Sequence, residues 1–213
     1  MIDTLIVLAK EPLPGFAKTR LTPPLTPTEA ASIAAACLQD TLDAVSRTAA
    51  RRHLLAFAGD AAGWAPTGWD VVQQPAGSLD ERISAAFDAA GVGSALLVGM
   101  DTPQLQPHHL LHFAPARCEA ALGLAPDGGY WALGLRDARR AREVVLGVPM
   151  STPSTGAHQY ARLQAAGIDV TLLEPLADVD TVDDLSTVLA GSPLGRFRQV
   201  VTALQPRLVG RAG

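Results

Sequence analysis

Two short apolar runs, at residues 5–9 and 94–99, constrain the fold of this chain more than any other feature. Each lacks the polar alternation of a half-exposed strand and breaks off into a polar segment. Strands of a parallel sheet, covered on both faces, read this way. Helical signals follow the first run. Thr26-Pro27-Thr28-Glu29 supplies an N-cap, a proline for the first helical position and an acid for the first turn. Residues 30–45 then carry Ile33, Cys37, Leu38, Leu42 and Val45 at helical spacing. Residues 51–58 and 69–73 read as strands, and residues 78–90 as a helix with Leu79, Ile83, Ala86 and Phe87 on one face. Further along, residues 107–113 and 158–166 read as helices. Residues 120–125, 130–135 and 169–173 read as strands, and a last clear helix opens near Asp178. Strands alternating with helices predict an α/β fold, a mostly parallel sheet with helices on both faces.

The chain of 213 residues is long enough for one substantial core. Residues 1–190 are expected to form one domain. Residues 191–213 form a C-terminal tail with a short helix around residues 197–204, and the apolar residues between 194 and 208 offer a surface for a homodimer. The net charge of -4 gives no basic excess, so nucleic acid is not an expected partner. A free nucleotide needs only a few local cations and remains compatible. Cys37 and Cys118 are too far apart in sequence for a disulfide framework or a zinc cluster and read as reduced thiols. The first apolar run is too short for a signal-peptide core, and no stretch approaches the ~20 apolar residues of a membrane helix. The expectation is a soluble cytoplasmic protein with no membrane partner.

Several polar segments follow strand-like runs, and in open α/β sheets ligands bind at the carboxyl ends of strands. Lys10-Glu-Pro-Leu-Pro-Gly-Phe-Ala-Lys-Thr-Arg20 places Pro14 and Gly15 ahead of two cations, Lys18 and Arg20. Glycine permits close backbone approach, and a guanidinium fork beside an ammonium suits phosphate oxygens. The spacing is neither that of a Walker A loop nor that of a Rossmann fingerprint. A plain solvated loop would look much the same. Asp101 follows the second apolar run directly; a carboxylate there needs a cleft, a metal or a capping role. Hard oxygen ligands beside phosphates suit Mg²⁺ or Mn²⁺. In Asp178-Val-Asp180-Thr-Val-Asp183-Asp184, Thr181 serves as an N-cap with Asp183 and Asp184 in the first turn. Asp178 and Asp180 precede that cap and call for another explanation. Asp127-Gly128-Gly129 permits close approach to a ligand, and is equally a hairpin turn. Gln74, Gly77 and Arg82 offer an amide, a flexible backbone and a cation near a helix start. Ser151 and Thr152 lie in a loop that suits an acceptor or mere flexibility. His108, His109 and His112 read as surface histidines.

Together these segments resemble the bacterial DUF2064 group of GT-A-like proteins, described as nucleotide-diphospho-sugar transferases or glycosyltransferases. The resemblance rests on Pro12-Leu-Pro-Gly15-Phe-Ala-Lys18-Thr-Arg20-Leu21, Gly99-Met-Asp101-Thr-Pro-Gln-Leu105, Pro126-Asp127-Gly-Gly-Tyr130 and Asp178-Val-Asp180-Thr181-Val-Asp-Asp184-Leu185, in that order. The segment from Gly77 to Arg82 resembles the group's Gly-x-Leu-x-x-Arg. The chain departs from the group at Met150, where a tryptophan is frequent, and at Val182, where a proline is frequent. The resemblance implies a Rossmann-like GT-A fold. Lys18 and Arg20 would bind phosphates, Asp101 and Asp180 would hold a divalent metal, and Gln74, Gly77 and Arg82 would line the base or sugar region. Catalysis would fall to Lys18, Arg20 and Asp101. Asp127, Gly128, Gly129, Ser151 and Thr152 are the expected sugar or acceptor side. The implied reaction is metal-dependent glycosyl transfer from a nucleotide-sugar to a small-molecule acceptor. The alternative is nucleotidyl transfer from a nucleoside triphosphate with release of pyrophosphate, because the loop after the first strand also resembles that of cofactor guanylyltransferases. A non-catalytic nucleotide-binding module fits the combined cations and carboxylates less well.

Overall fold

The first apolar run becomes the centre of the sheet. The computed structural model describes residues 1–209. β1 (Ile2–Lys10) pairs in parallel with β2 (Ala50–Ala58) on one side and with β4 (Ala95–Gly99) on the other. Its side chains divide between two cores. Leu5, Val7 and Ala9 pack under α1 (Pro27–Ser46), while Ile6 packs under α2 (Leu79–Ala90). Both faces are covered, so both sets of side chains must be apolar, which is why the run does not alternate.

The two covering helices start where the sequence places them. Thr26 caps α1 and Glu29 reaches back to the Thr26 amide at 2.8 Å. Ser78 and Glu81 repeat the arrangement on α2, with 2.7 Å between the Ser78 amide and Glu81 Oε2. Such reciprocal caps satisfy two otherwise orphaned donors at each helix start. The expected stripe of Ile33, Cys37, Leu38, Leu42 and Val45 is buried.

Among the described residues the sheet has seven strands in the order β3-β2-β1-β4-β6-β5-β7. β3 is Asp70–Gln73, β5 Ala120–Leu124, β6 Tyr130–Leu135 and β7 Val170–Leu172. β6 runs antiparallel to both β4 and β5; the other pairings are parallel. The fold is therefore the expected mostly parallel, Rossmann-like α/β sheet covered on both faces. The remaining helices are α3 (Pro107–Leu111), α4 (Ala141–Val145), α5 (Thr155–Ala165), α6 (Val182–Gly191) and α7 (Arg196–Val209). The segment that forms α4 gave no sequence signal, because a five-residue helix is too short to show a period. No helix of the described residues is long and apolar enough to cross a membrane.

The tail departs from its expected form. Its helix is longer than residues 197–204, and its apolar face is spent inside the chain. Phe197 and Val201 are 0% and 2% exposed in a third core with Leu21, Ile33, Val179 and Leu185. Asp40 of α1 fixes the start of α7 by accepting the amides of Arg196 at 3.0 Å and Phe197 at 2.9 Å. The apolar surface expected for a homodimer is thus largely an internal packing surface, although Leu194 stays 94% exposed. Phe197→Ala should lower unfolding stability by about 3–5 kcal/mol, read from chemical denaturation. An unchanged midpoint would show that α7 does not pack as described.

Candidate functional site

The strand order sets the location of the site. From β1 the chain passes to β2 and β3 on one side, then returns to place β4 on the other side. The loops leaving the carboxyl ends of β1 and β4 therefore diverge, and a crevice opens between them at this switch point. Lys18 lies on the first loop and Asp101 on the second. Met100, just before Asp101, accepts the Lys10 amide on its sulfur at 3.2 Å.

The β1 loop winds before it reaches its cations. The amides of Phe16 and Ala17 both donate to the Leu13 carbonyl, at 3.1 and 3.0 Å. Gly15 takes φ 80, a left-handed conformation that suits glycine. Lys18 adopts φ 51 without that freedom. Strained non-glycine residues of this kind concentrate at functional sites. Among the described residues the other one is Ser151, at φ 57. Leu21, fully buried, then ends the short 3₁₀ turn Thr19–Leu21 and pins the loop to the third core. As a result Lys18 turns inward with a side chain 6% exposed, while Arg20 points outward, 72% exposed.

Lys18 Nζ lies 2.9 Å from Asp101 Oδ2 and also donates to the Val179 carbonyl. The Val179 amide in turn donates to the Asp101 carbonyl at 3.0 Å. Burial works against the Lys18 ammonium, yet the Asp101 carboxylate outweighs it and the group is held above its ordinary value. Arg20 pairs with Asp180 at 2.5 Å. Lys18, Arg20, Asp101 and Asp180 thus line one cleft of about 150 Å³, together with Lys10 and Phe16. Asp178 stands beside them. Burial pushes its carboxyl up to about 6, and the charges of Asp127 and Asp101 push the same way.

The other expected residues are placed differently. Gln74 gives its amide nitrogen to the Ala9 and Ala56 carbonyls at 2.7 and 2.8 Å, stitching the ends of β1 and β2. Only its carbonyl oxygen is left for a ligand. Gly77 at φ 134 leaves room for the Glu81 cap, since a Cβ there would clash with Glu81 Oε2. Arg82 approaches the Ser78 carbonyl at 3.4 Å. These three residues lie outside the lining of the cleft. Gly128 and Gly129 form the turn between β5 and β6, with Asp127 Oδ1 accepting the Gly129 amide at 2.8 Å. The close approach is made by the chain itself: a Cβ on Gly128 would overlap the Pro153 carbonyl oxygen. Ser151 and Thr152 open the same loop, where Thr152 donates its amide to Thr155 Oγ1 at 3.0 Å.

Sequence reasoning missed Gln104. It is buried, donates Nε2 to the Ala177 carbonyl and leaves Oε1 unpartnered. It therefore ties the loop after β4 to the segment bearing Asp178 and Asp180. A glutamine beyond a Thr-Pro turn carries no signal of such a role. The histidines also depart from expectation. His109 is buried, 6% exposed, and sits edge-on to Trp131. Donor atoms of His108, His109 and Glu174 lie within 4.8 Å of one another. However, His109 Nδ1 accepts the Gln106 amide at 3.0 Å, which leaves the neutral ring's proton on Nε2, facing Glu174 at 3.8 Å. A metal would have to displace that proton, so this cluster serves better as a cap and a buried contact.

A family model described as an uncharacterized protein conserved in bacteria (DUF2064) matches residues 33–152. The chain belongs to the DUF2064 family. The matched segment includes Asp101 and the Asp127 turn but neither the Lys18 loop nor Asp178. No curated protein matches the sequence. Among solved structures, a candidate nucleotide-diphospho-sugar transferase from Desulfovibrio desulfuricans G20 superposes with a TM-score of 0.87 at 24% identity, covering 98% of this chain and 97% of that one. The 2-C-methyl-D-erythritol 4-phosphate cytidylyltransferase of Thermus thermophilus gives 0.55 at 19% identity, covering 89% and 99% respectively of this chain and 98% of that one is exceeded by neither. A manganese complex of a Mycobacterium tuberculosis H37Rv protein gives 0.53 at 21% identity, covering 89% and 99%. These likenesses establish the fold.

Asp178→Asn should raise the thermal midpoint of the metal-free protein well above pH 6. An acid raised from 3.8 to about 6 in the fold loses stability as pH climbs through that window and carries the full penalty above it. The gain should therefore shrink below pH 6 and fade toward the acid end. Equal midpoints for the two proteins at alkaline pH would mean that the Asp178 carboxylate is not crowded.

Proposed function

We propose that this DUF2064 protein is a metal-dependent transferase that draws its activated group from a nucleotide-sugar. One observation carries the reading: two cations and two carboxylates from loops about 160 residues apart in sequence converge on a single small cleft at the switch point of the sheet. Phosphate oxygens need the cations, and a divalent ion bridging them needs the carboxylates.

The donor set fits a hard divalent ion. Asp101, Asp178 and Asp180 offer oxygen only, and the upward displacement of Asp178 reflects more negative charge than the nearby cations relieve. In this reading Asp101 and Asp180 hold Mg²⁺ or Mn²⁺, and the ion supplies charge neutralisation for the departing diphosphate. Lys18 and Arg20 bind the phosphate oxygens, with Pro14 and Gly15 shaping the loop that presents them. The Gln74 carbonyl oxygen, Gly77 and Arg82 border the base or sugar. Asp127, Gly128, Gly129, Ser151 and Thr152 form the acceptor side, where the Ser151 strain marks a constrained loop. The work of such a site is positioning and charge stabilisation rather than covalent chemistry. The high fold similarity to a candidate nucleotide-diphospho-sugar transferase supports this assignment, and the bound manganese of a more distant relative supports the metal.

Nucleotidyl transfer is the second reading. It is favoured by the position of Lys18 and Arg20 on the loop after β1, where a triphosphate would need them, and by the likeness to cytidylyltransferases. Thermal-shift titration with nucleotide-sugars and nucleoside triphosphates, each with Mn²⁺, separates the two. Nucleotide-sugars should stabilise the protein, and Asp101→Asn should remove the metal-dependent part of that gain. Stabilisation by triphosphates alone would transfer the assignment to nucleotidyl transfer. A response to neither class would contradict both.

A further inference from the structure

We infer that the cleft takes its divalent ion and its phosphate ligand as a pair, because each releases the internal counter-charges that oppose binding of the other. This rests on the metal and phosphate roles proposed above and adds their energetic coupling. In the described structure the four charges expected to meet ligands are spent on one another. Lys18 lies 2.9 Å from Asp101, and Arg20 is bonded to Asp180.

A cation arriving alone at Asp101 and Asp180 would take both partners away. Arg20, 72% exposed, can turn to solvent at little cost. Lys18 cannot: its side chain is 6% exposed, its backbone is held at φ 51, and the Val179 carbonyl is its one remaining partner. A buried ammonium stripped of its counter-ion strongly opposes the binding that strips it. An anion arriving alone at Lys18 and Arg20 would likewise leave Asp101, Asp178 and Asp180 crowded without positive charge. When both arrive, every side chain exchanges one partner for another and the two penalties cancel. Such coupling is reciprocal by thermodynamic necessity: the ion strengthens phosphate binding by the same factor as the phosphate strengthens ion binding.

The test uses the full chain and Mn²⁺ binding, followed by the electron paramagnetic resonance signal of the free ion. Wild type, Arg20→Gln and Lys18→Gln/Arg20→Gln are titrated with metal alone, then with metal and pyrophosphate, with circular dichroism confirming the fold. Both variants should bind metal alone more tightly than wild type, the double variant by roughly tenfold or more. Wild type should gain metal affinity with pyrophosphate, and the double variant should lose that gain. Pyrophosphate chelates Mn²⁺ in solution, so the deciding comparison is metal alone. Variants that bind metal no more tightly than a metal-binding wild type would overturn the coupling and leave the proposed function standing. If wild type binds neither Mn²⁺ nor pyrophosphate in any combination, the proposed function itself fails. Should Lys18→Gln not fold, the exposed Arg20→Gln substitution decides the matter: tighter metal binding supports the coupling and unchanged binding overturns it.

Discussion

The joint between Lys18, Asp101 and Val179 holds three distant parts of the chain at one point. The Lys18 ammonium meets the Asp101 carboxylate and the Val179 carbonyl, while the Val179 amide closes back on the Asp101 carbonyl. The loop after β1, the loop after β4 and the segment before α6 are thereby fixed relative to one another. The third core supports this joint from beneath, since Leu21 on one side and Val179 on the other are both fully buried in it. Packing of α7 against α1 completes that core, so a helix far from the cleft contributes to the placement of its charges.

Burial gives this ion pair its consequences. The exposed Arg20–Asp180 pair can open with little change in free energy. The Lys18–Asp101 pair cannot lose one member without leaving a charge poorly solvated. Proximity of opposite charges therefore does not mean that ligand sites are blocked. It means that ligands must replace, charge for charge, what they displace. The raised value of Asp178 fits the same picture, with local negative charge exceeding what two internal cations relieve.

Much of this arrangement was legible in the sequence, and physical reasons mark where legibility ended. The runs at residues 5–9 and 94–99 announced strands covered on both faces, and Thr26 with Glu29 announced the start of α1, because these features depend on local patterns. The mostly parallel sheet followed from their alternation. Lys18, Arg20, Asp101 and Asp180 were recognisable as a charged set, but their pairing with each other was not. Pairing depends on strand order, which brings together residues 160 apart. The Asp127-Gly128-Gly129 turn proved to be the hairpin its sequence allowed, and the space at Gly128 is claimed by the Pro153 carbonyl. Gln104 and His109 were missed in that sense because a single polar residue carries no periodic signal of burial. The tail reads as an exposed apolar surface only because its partner surfaces on α1 and α6 lie elsewhere in sequence.

The central claim is that the carboxylates at the ends of the β4 loop and the Asp178–Asp180 segment hold a divalent ion beside the Lys18 loop. Anomalous scattering from crystals grown with Mn²⁺ and a nucleotide-sugar measures this directly. The account predicts a manganese peak between Asp101 and Asp180, with the ligand's phosphates against Lys18 and Arg20. A peak at His108, His109 and Glu174 instead, or phosphates bound away from the β1 loop, would contradict it.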